Sequence, residues 1–439
     1  MWHDLLAEGV SCGLHRIERL MRLQALKARP RRRRLPPDLD CRPKKRSGRH
    51  AVRLRRDGIT ARLSCSFNFL TIRANKHHDD ELAHGHGILP SLVIGPLFWR
   101  EVKMSVLVTG GAGYIGSHLV WELLDNGEKV VVLDRLSTGF EWAVAPEAKL
   151  VVGDIGDTSF VRSLLRDHEI DSVIHFAGSI IVPESIADPL AYYENNTCKT
   201  RALLGAIIDA KVRHVIFSST AAVYGGKGLE PIAEDAPTFP ESPYGRSKLM
   251  TEWMLSDASA AHGFTYTVLR YFNVAGADPR GRTGQSTPGA THLIKVACET
   301  AIGKRHAIEV FGTDYPTPDG TCIRDYIHVS DLVVAHRLAL ARLRNGGDNL
   351  IANCGYGRGY SVLEVINSVR RLKGDTFEVR LRGRRLGDPA AVVANAELAR
   401  RELGWVPSYA ALDRIVADAF AWEEILSRSN RYDPAQDAR

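Results

Sequence analysis

From residue 105 onward, short β-branched runs alternate with longer helical stretches, and this alternation constrains the fold more than any other feature of the chain. The first two runs are SVLVTG at 105–110 and KVVVLD at 129–134. Four more lie at 149–154, 171–178, 214–219 and 265–273. Continuous apolar runs separated by helices are typical of a parallel sheet covered on both faces. We therefore predict an α/β fold with a doubly wound parallel sheet of the Rossmann type.

Helical patterns dominate the chain beyond residue 276, where strand-like runs become sparse. They cover 290–303, 330–345, 361–372 and 409–427. This change predicts a smaller, mixed α/β C-terminal domain for the substrate. We place the dinucleotide-binding domain at 104–278, the substrate domain at 279–427 with some segments returning to the first domain, and a tail at 428–439.

The first 103 residues differ from the rest of the chain in charge. They contain 22 lysines and arginines against 10 acidic residues, whereas the remainder contains 36 against 41. Like-charge repulsion and proline make the basic stretches at 29–37 and 42–49 poor material for a core. We interpret 1–103 as a disordered extension, or as translated sequence upstream of a start at Met104. The alternatives are a nucleic-acid-binding arm and a transit peptide.

Composition narrows the functional class further. Hydrophobic residues make up 44% and charged residues 25%, as in ordinary globular proteins. There is no run of about 18 apolar residues, so we expect no membrane partner. The seven cysteines lack CxxC spacing, which favours reduced thiols, a cytoplasmic setting and no metal site. No aromatic residues stand between the arginines of 29–34, so we do not expect nucleic acid as a partner.

A glycine-rich segment, TGGAGYIGSH at 109–118, follows the first apolar run and opens the first helix. Its glycines fit G-x-G-x-x-G spacing, which Gly110 extends at the amino end. Gly110 and Gly113 would allow a tight turn and close approach of a pyrophosphate, and Gly116 would let helix and strand pack closely. This predicts a dinucleotide site at the start of the helix.

Acidic residues at the ends of the next two strands would bind the rest of that nucleotide. Asp134 could accept hydrogen bonds from both ribose hydroxyls and would repel a 2′-phosphate, which favours NAD over NADP. Arg135 leaves NADP as an alternative, since an arginine there could accommodate the phosphate. Asp154 and Ile155 could flank the adenine.

Tyr244 and Lys248 stand four residues apart in SPYGRSKLM, which places them on one face of a helix. A free tyrosine has a pKa of about 10, and a nearby ammonium would favour its phenolate as a base. Thr220 ends an upstream strand at the carboxyl edge, where open α/β sheets bind ligands. It could share a hydrogen bond with the same substrate hydroxyl.

Five motifs taken together resemble the extended short-chain dehydrogenase/reductase superfamily. They are TGGAGYIG, the NN of YYENN, SSTAAVYG, YGRSK and LRYFNVAGADP. Within that superfamily, FGTDYPTPDGTCIRDYIHVSDL at 311–332 is similar to the UDP-glucose 4-epimerase family in order and spacing. The resemblance covers 104–427, and residues 1–103 have no counterpart in it.

The resemblance implies an isomerase that interconverts UDP-glucose and UDP-galactose by oxidising C4, rotating the 4-keto sugar and reducing it again. NAD would stay bound throughout. Tyr244, Lys248 and Thr220 would be catalytic. Members that dehydrate their substrate carry Asp and Glu where this chain has Ala221 and Ala222, so we expect no elimination of water. A homodimer would form through helices at 188–209 and 244–262.

The resemblance also implies contacts beyond those predicted from the residues themselves. Further cofactor contacts would come from Tyr114, Ile115, Phe176, Ala177, Asn196, Ser218 and Tyr271. The UDP-hexose would be bound by Asn273, His292, Leu293, Arg324, Arg385 and Asp388, with the two arginines on the phosphates.

Several alternatives remain open at this point. The chain could be a UDP-pentose 4-epimerase or another nucleotide-sugar oxidoreductase of the same superfamily. A non-catalytic NAD-binding module would need the glycines but not Tyr244, Lys248 and Thr220. Val392 replaces a bulky tyrosine found in some relatives, so exchange of UDP-GlcNAc and UDP-GalNAc is a further hypothesis.

Overall fold

The structure is a computed structural model that describes residues 60–66, 69–75, 104–226, 228–374, 377–385 and 387–429. The chain divides into two units, Met1–Arg100 and Glu101–Arg439. In the first, strands β1 (Thr60–Ser66) and β2 (Phe69–Asn75) pair antiparallel. The other predictions for 1–103, and nearly all of the tail at 428–439, lie outside the described residues. The predicted boundary at 278 stays a prediction.

The second unit contains the predicted alternation of strands and helices. Its strands are β3 (Ser105–Thr109), β4 (Lys129–Asp134), β5 (Lys149–Val152), β6 (Ile170–His175), β7 (His214–Thr220), β8 (Thr265–Tyr271), β9 (Asn273–Ala275), β10 (Ala307–Phe311), β11 (Ile323–His328), β12 (Leu350–Cys354), β13 (Gly359–Ser361), β14 (Glu378–Arg382) and β15 (Ala391–Val392). Its α-helices are α1 (Tyr114–Asp125), α2 (Thr158–Asp167), α3 (Val182–Ala187), α4 (Pro189–Tyr192), α5 (Lys199–Ala210), α6 (Pro243–His262), α7 (Leu293–Ala301), α8 (Val329–Arg344), α9 (Val362–Lys373), α10 (Glu397–Leu403) and α11 (Leu412–Arg428).

Seven parallel strands form the central sheet in the order β12-β8-β7-β6-β3-β4-β5. The chain builds outward from β3 to β5 and then crosses to β6, which pairs with the other edge of β3. The carboxyl ends of β3 and β6 therefore flank the point where the strand order reverses. In doubly wound sheets this is where nucleotides bind. The predicted fold class is confirmed.

Strand β3 shows why the sheet strands are apolar throughout. Val106 and Val108 face a core shared with α1 and α8, whereas Leu107 faces a second core shared with α2 and α5. All three side chains are fully buried. Because successive strand residues point to opposite faces, a sheet covered on both sides needs an apolar residue at nearly every position.

The run predicted as one strand at 265–273 is divided between two sheets. Strand β8 ends at Tyr271, and β9 pairs with β11 in a separate small sheet that also contains β13 and β15. Strands β10 and β14 form a parallel pair beside it. The chain thus leaves the central sheet at Phe272 and enters the small sheet at β9.

No helix in the described part of the chain is long and apolar enough to cross a bilayer.

Candidate active site

The glycine-rich loop after β3 forms a tight cradle at the start of α1. Gly110 has a φ of +72°, and a Cβ there would lie 2.6 Å from the amide nitrogen of Ala177. A Cβ on Gly116 would lie 2.2 Å from the carbonyl oxygen of Gly110. Because Gly113 precedes the helix and has no side chain, the first-turn N–H groups stay open to an anion. The cradle therefore fits a pyrophosphate.

Asp134 closes the far side of this cradle. Its Oδ2 accepts a 3.0 Å hydrogen bond from the Ala112 amide, and its Oδ1 accepts one of 2.8 Å from the Leu136 amide. A carboxylate has about four acceptor positions, so two remain for the hydroxyls of a ribose. The sequence predicted the contact with the ribose hydroxyls but not the two hydrogen bonds to the main chain.

Asp154 lies beside Asp134 and is held by cations. Its carboxylate pairs with Lys199 and lies 3.9 Å from the Arg135 guanidinium. Burial raises the pKa of Asp154, but the hydrogen bonds from Lys199 and from the Gly156 amide outweigh it and the pKa is lowered. Arg135 is thus drawn toward Asp154, which disfavours its alternative role of binding a 2′-phosphate.

Asn196 lies in a π-helical turn, Tyr193–Cys198, of the kind often found at functional sites. Its buried amide accepts a 2.7 Å hydrogen bond from the Ser179 amide. The same amide group donates to the Ser179 carbonyl at 2.9 Å and to Ser247 Oγ at 3.1 Å. Asn196 therefore ties the loop after β6, which contains Phe176 and Ala177, to helix α6.

Helix α6 presents Tyr244 and Lys248 to the end of β7. Ser242 caps the helix by accepting a 3.1 Å hydrogen bond from the Gly245 amide, and Pro243 occupies the first helical position. A Cβ on Gly245 would lie 2.6 Å from the Ala222 carbonyl oxygen, so the helix abuts the loop after the strand. The predicted common helix face for the pair agrees with this placement.

Tyr244 lies beside the Thr220 hydroxyl at the end of β7. Thr220 Oγ1 accepts a 3.1 Å hydrogen bond from the Ala222 amide, which fixes the hydroxyl. Burial raises the pKa of Tyr244, and the neighbouring Thr220 hydroxyl opposes that rise. The two hydroxyls that sequence reasoning paired are thus brought together.

Lys248 is 4% exposed, and its Nζ donates a 2.9 Å hydrogen bond to the Ser218 carbonyl oxygen. It also lies 4.9 Å from the centre of the Phe217 ring. Burial lowers the pKa of Lys248 to about 8, while the Glu252 carboxylate opposes that fall. The lysine contacts the main chain of β7, and its predicted effect on the Tyr244 phenolate stays a prediction.

Tyr271, predicted as a cofactor contact, is held in its neutral form. His336 Nδ1 donates to the Leu332 carbonyl oxygen at 2.8 Å, so Nε2 accepts the 2.5 Å hydrogen bond from the Tyr271 hydroxyl. Burial raises the pKa of Tyr271 well above its ordinary value. Of these two buried tyrosines, Tyr244 is the one placed beside a lysine.

Sequence reasoning missed a buried ion pair behind this site. Glu252 and Arg270 are 3% and 5% exposed, and their charged groups meet at 2.6 Å. The signal was available, because Glu252 continues the four-residue spacing of Tyr244 and Lys248 on the same helix face. Its partner on β8 could not be found without the tertiary structure.

Sequence reasoning also missed residues 276–287, here called the strap, which lie along one face of α1. The Tyr114 hydroxyl donates to the Gly276 carbonyl oxygen at 2.7 Å, so it does not point at the cradle. Further along, Ser117 bonds to Thr283 at 2.8 Å, and Arg282 pairs with Asp125 at 3.0 Å. Residues 284–287 face Ala112 and Gly113 across a small cavity, so the strap covers the phosphate cradle.

Of the two predicted phosphate-binding arginines, Arg324 lies on β11 of the small sheet and Arg385 lies in the segment between β14 and β15. Arg324 donates to the Pro389 carbonyl oxygen at 2.9 Å and lies 3.6 Å from the Asp388 carboxylate. The Asp388 amide donates to the Arg385 carbonyl oxygen at 3.3 Å, and the Arg385 guanidinium lies 3.7 Å above the Phe311 ring. The segment that contains Arg385 and Asp388 therefore packs beside Arg324.

The other predicted substrate residues lie in nearby elements. Asn273 opens β9, and His292 and Leu293 stand at the amino end of α7. His292 Nδ1 is buried without a hydrogen-bond partner among the described residues, and burial lowers the pKa of this ring. Val392 pairs with Arg324 in the sheet and packs against the cluster that contains Ala221. This strand links the arginines to the Tyr244 region.

The described residues contain no group of His, Cys, Asp and Glu arranged to hold a metal ion. The fold and the site together define a dinucleotide-binding α/β protein with a tyrosine and a lysine at the carboxyl end of strand β7. The chain belongs to the NAD dependent epimerase/dehydratase family, which it matches over residues 106–355.

Comparison with individual proteins narrows the relationship. The chain is 57% identical over 324 residues to a UDP-glucose 4-epimerase of Azospirillum brasilense, covering 74% of this chain and 93% of that protein. The UDP-glucose 4-epimerase of Brucella ovis, solved in complex with NAD, superposes with a TM-score of 0.71 at 46% identity, covering 72% and 98% of the two chains. The UDP-Glc/GlcNAc 4-epimerase of Campylobacter jejuni gives 0.65 at 44% identity, covering 73% and 99%.

Proposed function

We propose that this chain is a UDP-glucose 4-epimerase that interconverts UDP-glucose and UDP-galactose with a retained NAD. The observation that carries the proposal is the meeting of Tyr244, Lys248 and Thr220 at the carboxyl end of β7, where Lys248 donates to the Ser218 carbonyl oxygen. The relatives named above support it, since they share the activity at up to 57% identity. The reaction is an isomerisation, because the hydride removed from the sugar is returned to it.

The residues at the cradle fit NAD. Gly110, Gly113 and Gly116 leave room for the pyrophosphate, and Asp134 keeps free acceptor positions for the adenosine ribose. Asp154 and Ile155 would border the adenine. Phe176, Ala177 and Asn196 border the loop after β6. Glycines that contact these residues have positive φ values and close neighbours, so added side chains would not fit there.

Bound NAD would accept a hydride from C4 and return it to the opposite face of the ring. Tyr244 would take the proton of the C4 hydroxyl, and Thr220 would orient that hydroxyl by sharing its hydrogen bond. Lys248, held at the Ser218 carbonyl, would hydrogen-bond the nicotinamide ribose and favour the tyrosine phenolate. Ala221 and Ala222 present only methyl groups, so no acid or base stands ready to remove water from the ketone.

The UDP group would be held by the small sheet. Arg324 and Arg385 would bind the diphosphate, and Asp388 the uridine ribose, in keeping with their grouping in the structure. His292 has a free ring nitrogen for a phosphate or sugar oxygen. Asn273 and Leu293 would complete the sugar contacts.

Val392 supports a second substrate pair. It occupies the strand position beside Arg324, and valine is smaller than the tyrosine that some relatives carry there. The Campylobacter jejuni enzyme, 44% identical, is described as a UDP-Glc/GlcNAc 4-epimerase. We therefore include exchange of UDP-GlcNAc and UDP-GalNAc in the proposal.

Homodimer formation and a cytoplasmic location complete the proposal. Helices α4 and α6 expose Leu190 at 76% and Trp253 at 58%, apolar side chains suited to burial against a second copy. The buried cysteines Cys298, Cys322 and Cys354 are free thiols, in keeping with a reducing compartment.

One assay tests the proposed function directly. Purified full-length protein is incubated with UDP-galactose without added cofactor, and the products are followed by NMR. The expected result is UDP-glucose as product, with NAD released when the protein is denatured. Protein that contains no NAD, cannot take it up and leaves UDP-galactose unchanged would contradict the proposal, as would a product deoxygenated at C6.

A further inference from the structure

Glu252 makes a third contact between helix α6 and strand β7. Tyr244 and Lys248 contact the strand on either side of Ser219, and the Ser219 hydroxyl donates a 2.5 Å hydrogen bond to Glu252 Oε1. The three helix residues are spaced by four, so they form one row along the helix. Glu252 thus contacts the strand directly behind the proposed catalytic pair, without reaching the substrate side.

Arg270 holds the same carboxylate from strand β8. Its Nε donates to Oε1 at 3.1 Å and its Nη2 donates to Oε2 at 2.6 Å. Its Nη1 donates to the Tyr224 hydroxyl at 2.8 Å, and that hydroxyl donates to Asn353 Oδ1 at 2.8 Å. Every hydrogen-bonding group of the carboxylate is therefore engaged by a rigid neighbour. Buried ion pairs of this kind add little net stability compared with apolar residues, so another role should be sought.

The charges near Lys248 come mainly from this pair. Burial lowers the pKa of His175 on β6 to about 3 and raises the pKa of Tyr224, Tyr244 and Tyr271. His175, Tyr224 and Tyr271 are consequently neutral at pH 7 and place no charge beside Lys248. Glu234 lies beyond Tyr224, where its carboxylate accepts the Asn353 amide. Glu252 is then the anion that stabilises the Lys248 ammonium, and Arg270 limits how strongly it does so.

We propose that Glu252 is a positioning residue that sets the charge state of Lys248 and fixes helix α6 against strand β7, with Arg270 balancing its charge. This inference rests on the proposed function, in which the charged form of Lys248 is the active one. The geometry supports this inference, because the Glu252 carboxylate connects the helix of Tyr244 to the strand beside Thr220 and to strand β8.

The test is Glu252→Gln, which keeps an acceptor for Ser219 and removes the negative charge. The Lys248 ammonium loses its stabilising anion and faces an unbalanced Arg270, so it deprotonates at lower pH. We expect the alkaline limb of the kcat profile to move down by about one pH unit. In Glu252→Gln/Arg270→Met both charges are gone, and the limb should return toward that of the parent protein.

A second readout does not depend on turnover. In protein labelled with ¹³Cε-lysine, the Lys248 resonance, assigned with Lys248→Met, should titrate about one pH unit lower in Glu252→Gln. The matched control is Asp171→Asn, which removes a carboxylate from the buried pair with Arg344 at the amino end of the sheet. That variant should lower stability without moving the limb or the Lys248 titration.

Two results would overturn the inference. The first is a kcat that falls by the same factor at every pH in Glu252→Gln, as in Asp171→Asn, with an unchanged Lys248 titration. The second result applies if Glu252→Gln fails to fold and Glu252→Asp is used instead. This variant keeps the negative charge but shortens the reach to Ser219. It should lower kcat several-fold with the limb in place, and a displaced limb would contradict the role of charge. Inactive parent protein without NAD would refute the proposed function instead, while the Lys248 titration still tests the inference.

Discussion

The Lys248 ammonium donates a 2.9 Å hydrogen bond to the carbonyl oxygen of Ser218, two residues before Thr220 on the same strand. The lysine is therefore fixed to the strand that presents the threonine hydroxyl. Because Tyr244 lies beside that hydroxyl, a single strand end aligns both members of the tyrosine–lysine pair. Two consequences of this arrangement can be measured, together with one of the glycine cradle, one of Val392 and one of the buried histidines.

Lys248→Met removes the ammonium while keeping a side chain of similar length. We expect kcat to fall about 100-fold, since general acid–base assistance is typically of this size. Bound NAD per protein should also fall, because the nicotinamide ribose loses its partner. Lys149→Met, at the exposed start of β5, is the control and should retain both properties. Full activity in Lys248→Met would exclude the proposed role.

Tyr244→Phe removes only the phenolic hydroxyl. Loss of the proposed base should lower kcat by about 1000-fold, while NAD content stays near that of the parent protein. Tyr266→Phe tests whether any buried tyrosine matters equally, since Tyr266 is buried at the amino end of β8. It should be nearly as active as the parent. A fully active Tyr244→Phe would favour the non-catalytic binding module.

Gly116→Ala places a methyl group 2.2 Å from the Gly110 carbonyl oxygen, so the cradle must move. We expect a loss of about 1–3 kcal/mol in the free energy of unfolding and protein isolated with little NAD. Gly205→Ala is the control, because a Cβ there meets no atom within 4 Å. In the middle of helix α5 it should gain about 0.5–1 kcal/mol. Normal NAD content in Gly116→Ala would refute a tight cradle.

Val392→Tyr fills the space proposed for an N-acetyl group. Turnover of UDP-GlcNAc should be abolished, and turnover of UDP-glucose should change little, because UDP-glucose carries no N-acetyl group at C2. Val392→Ala keeps the space open and should retain both activities. Initial rates measured with UDP-glucose and with UDP-GlcNAc test this prediction. If the parent protein turns over UDP-glucose well but not UDP-GlcNAc, the second substrate pair is wrong.

Buried histidines should make the protein sensitive to acid. Burial lowers the pKa of His118 and of His336 to about 4, whereas an unfolded histidine has a pKa of about 6.5. Their stabilising contribution is thus complete above pH 6.5 and is lost as the pH falls toward 4. Each contributes up to about 1.4 kcal/mol per pH unit to the slope of unfolding free energy.

Urea unfolding between pH 7 and pH 5 measures that slope. His336→Gln should be less stable at pH 7 but should show a shallower decline, because one proton uptake has been removed. His262→Gln, at the exposed end of α6, should leave the slope unchanged. An unaltered slope in His336→Gln would mean that this ring is already protonated in the folded protein.

The central sheet could be predicted because both its faces are buried. That requirement puts apolar residues at the three inner positions of β3, Val106, Leu107 and Val108. The cradle was predictable for a similar reason: only glycine fits where Gly110 and Gly116 meet the chain. Both features are local in sequence, so no knowledge of distant contacts was required.

Features that depend on distant partners were not predictable. Strand β12, the seventh strand of the sheet, has only five residues, LIANC, and its identity comes from pairing with β8, about 80 residues earlier. Arg270 reads as an ordinary strand residue until Glu252 is brought beside it. The division of 265–273 at Phe272 likewise depends on β11, which draws Asn273 into another sheet.

The strap has a consequence for the order of events during synthesis. It bonds to helix α1 across 162 residues of chain, between Tyr114 and Gly276. A ribosome releases α1 and the glycine cradle well before the residues that cover them. A nucleotide that bound before the strap was made would be enclosed as the remainder of the chain folds. The proposed retention of NAD would then depend on how the protein is made as well as on the strength of its contacts.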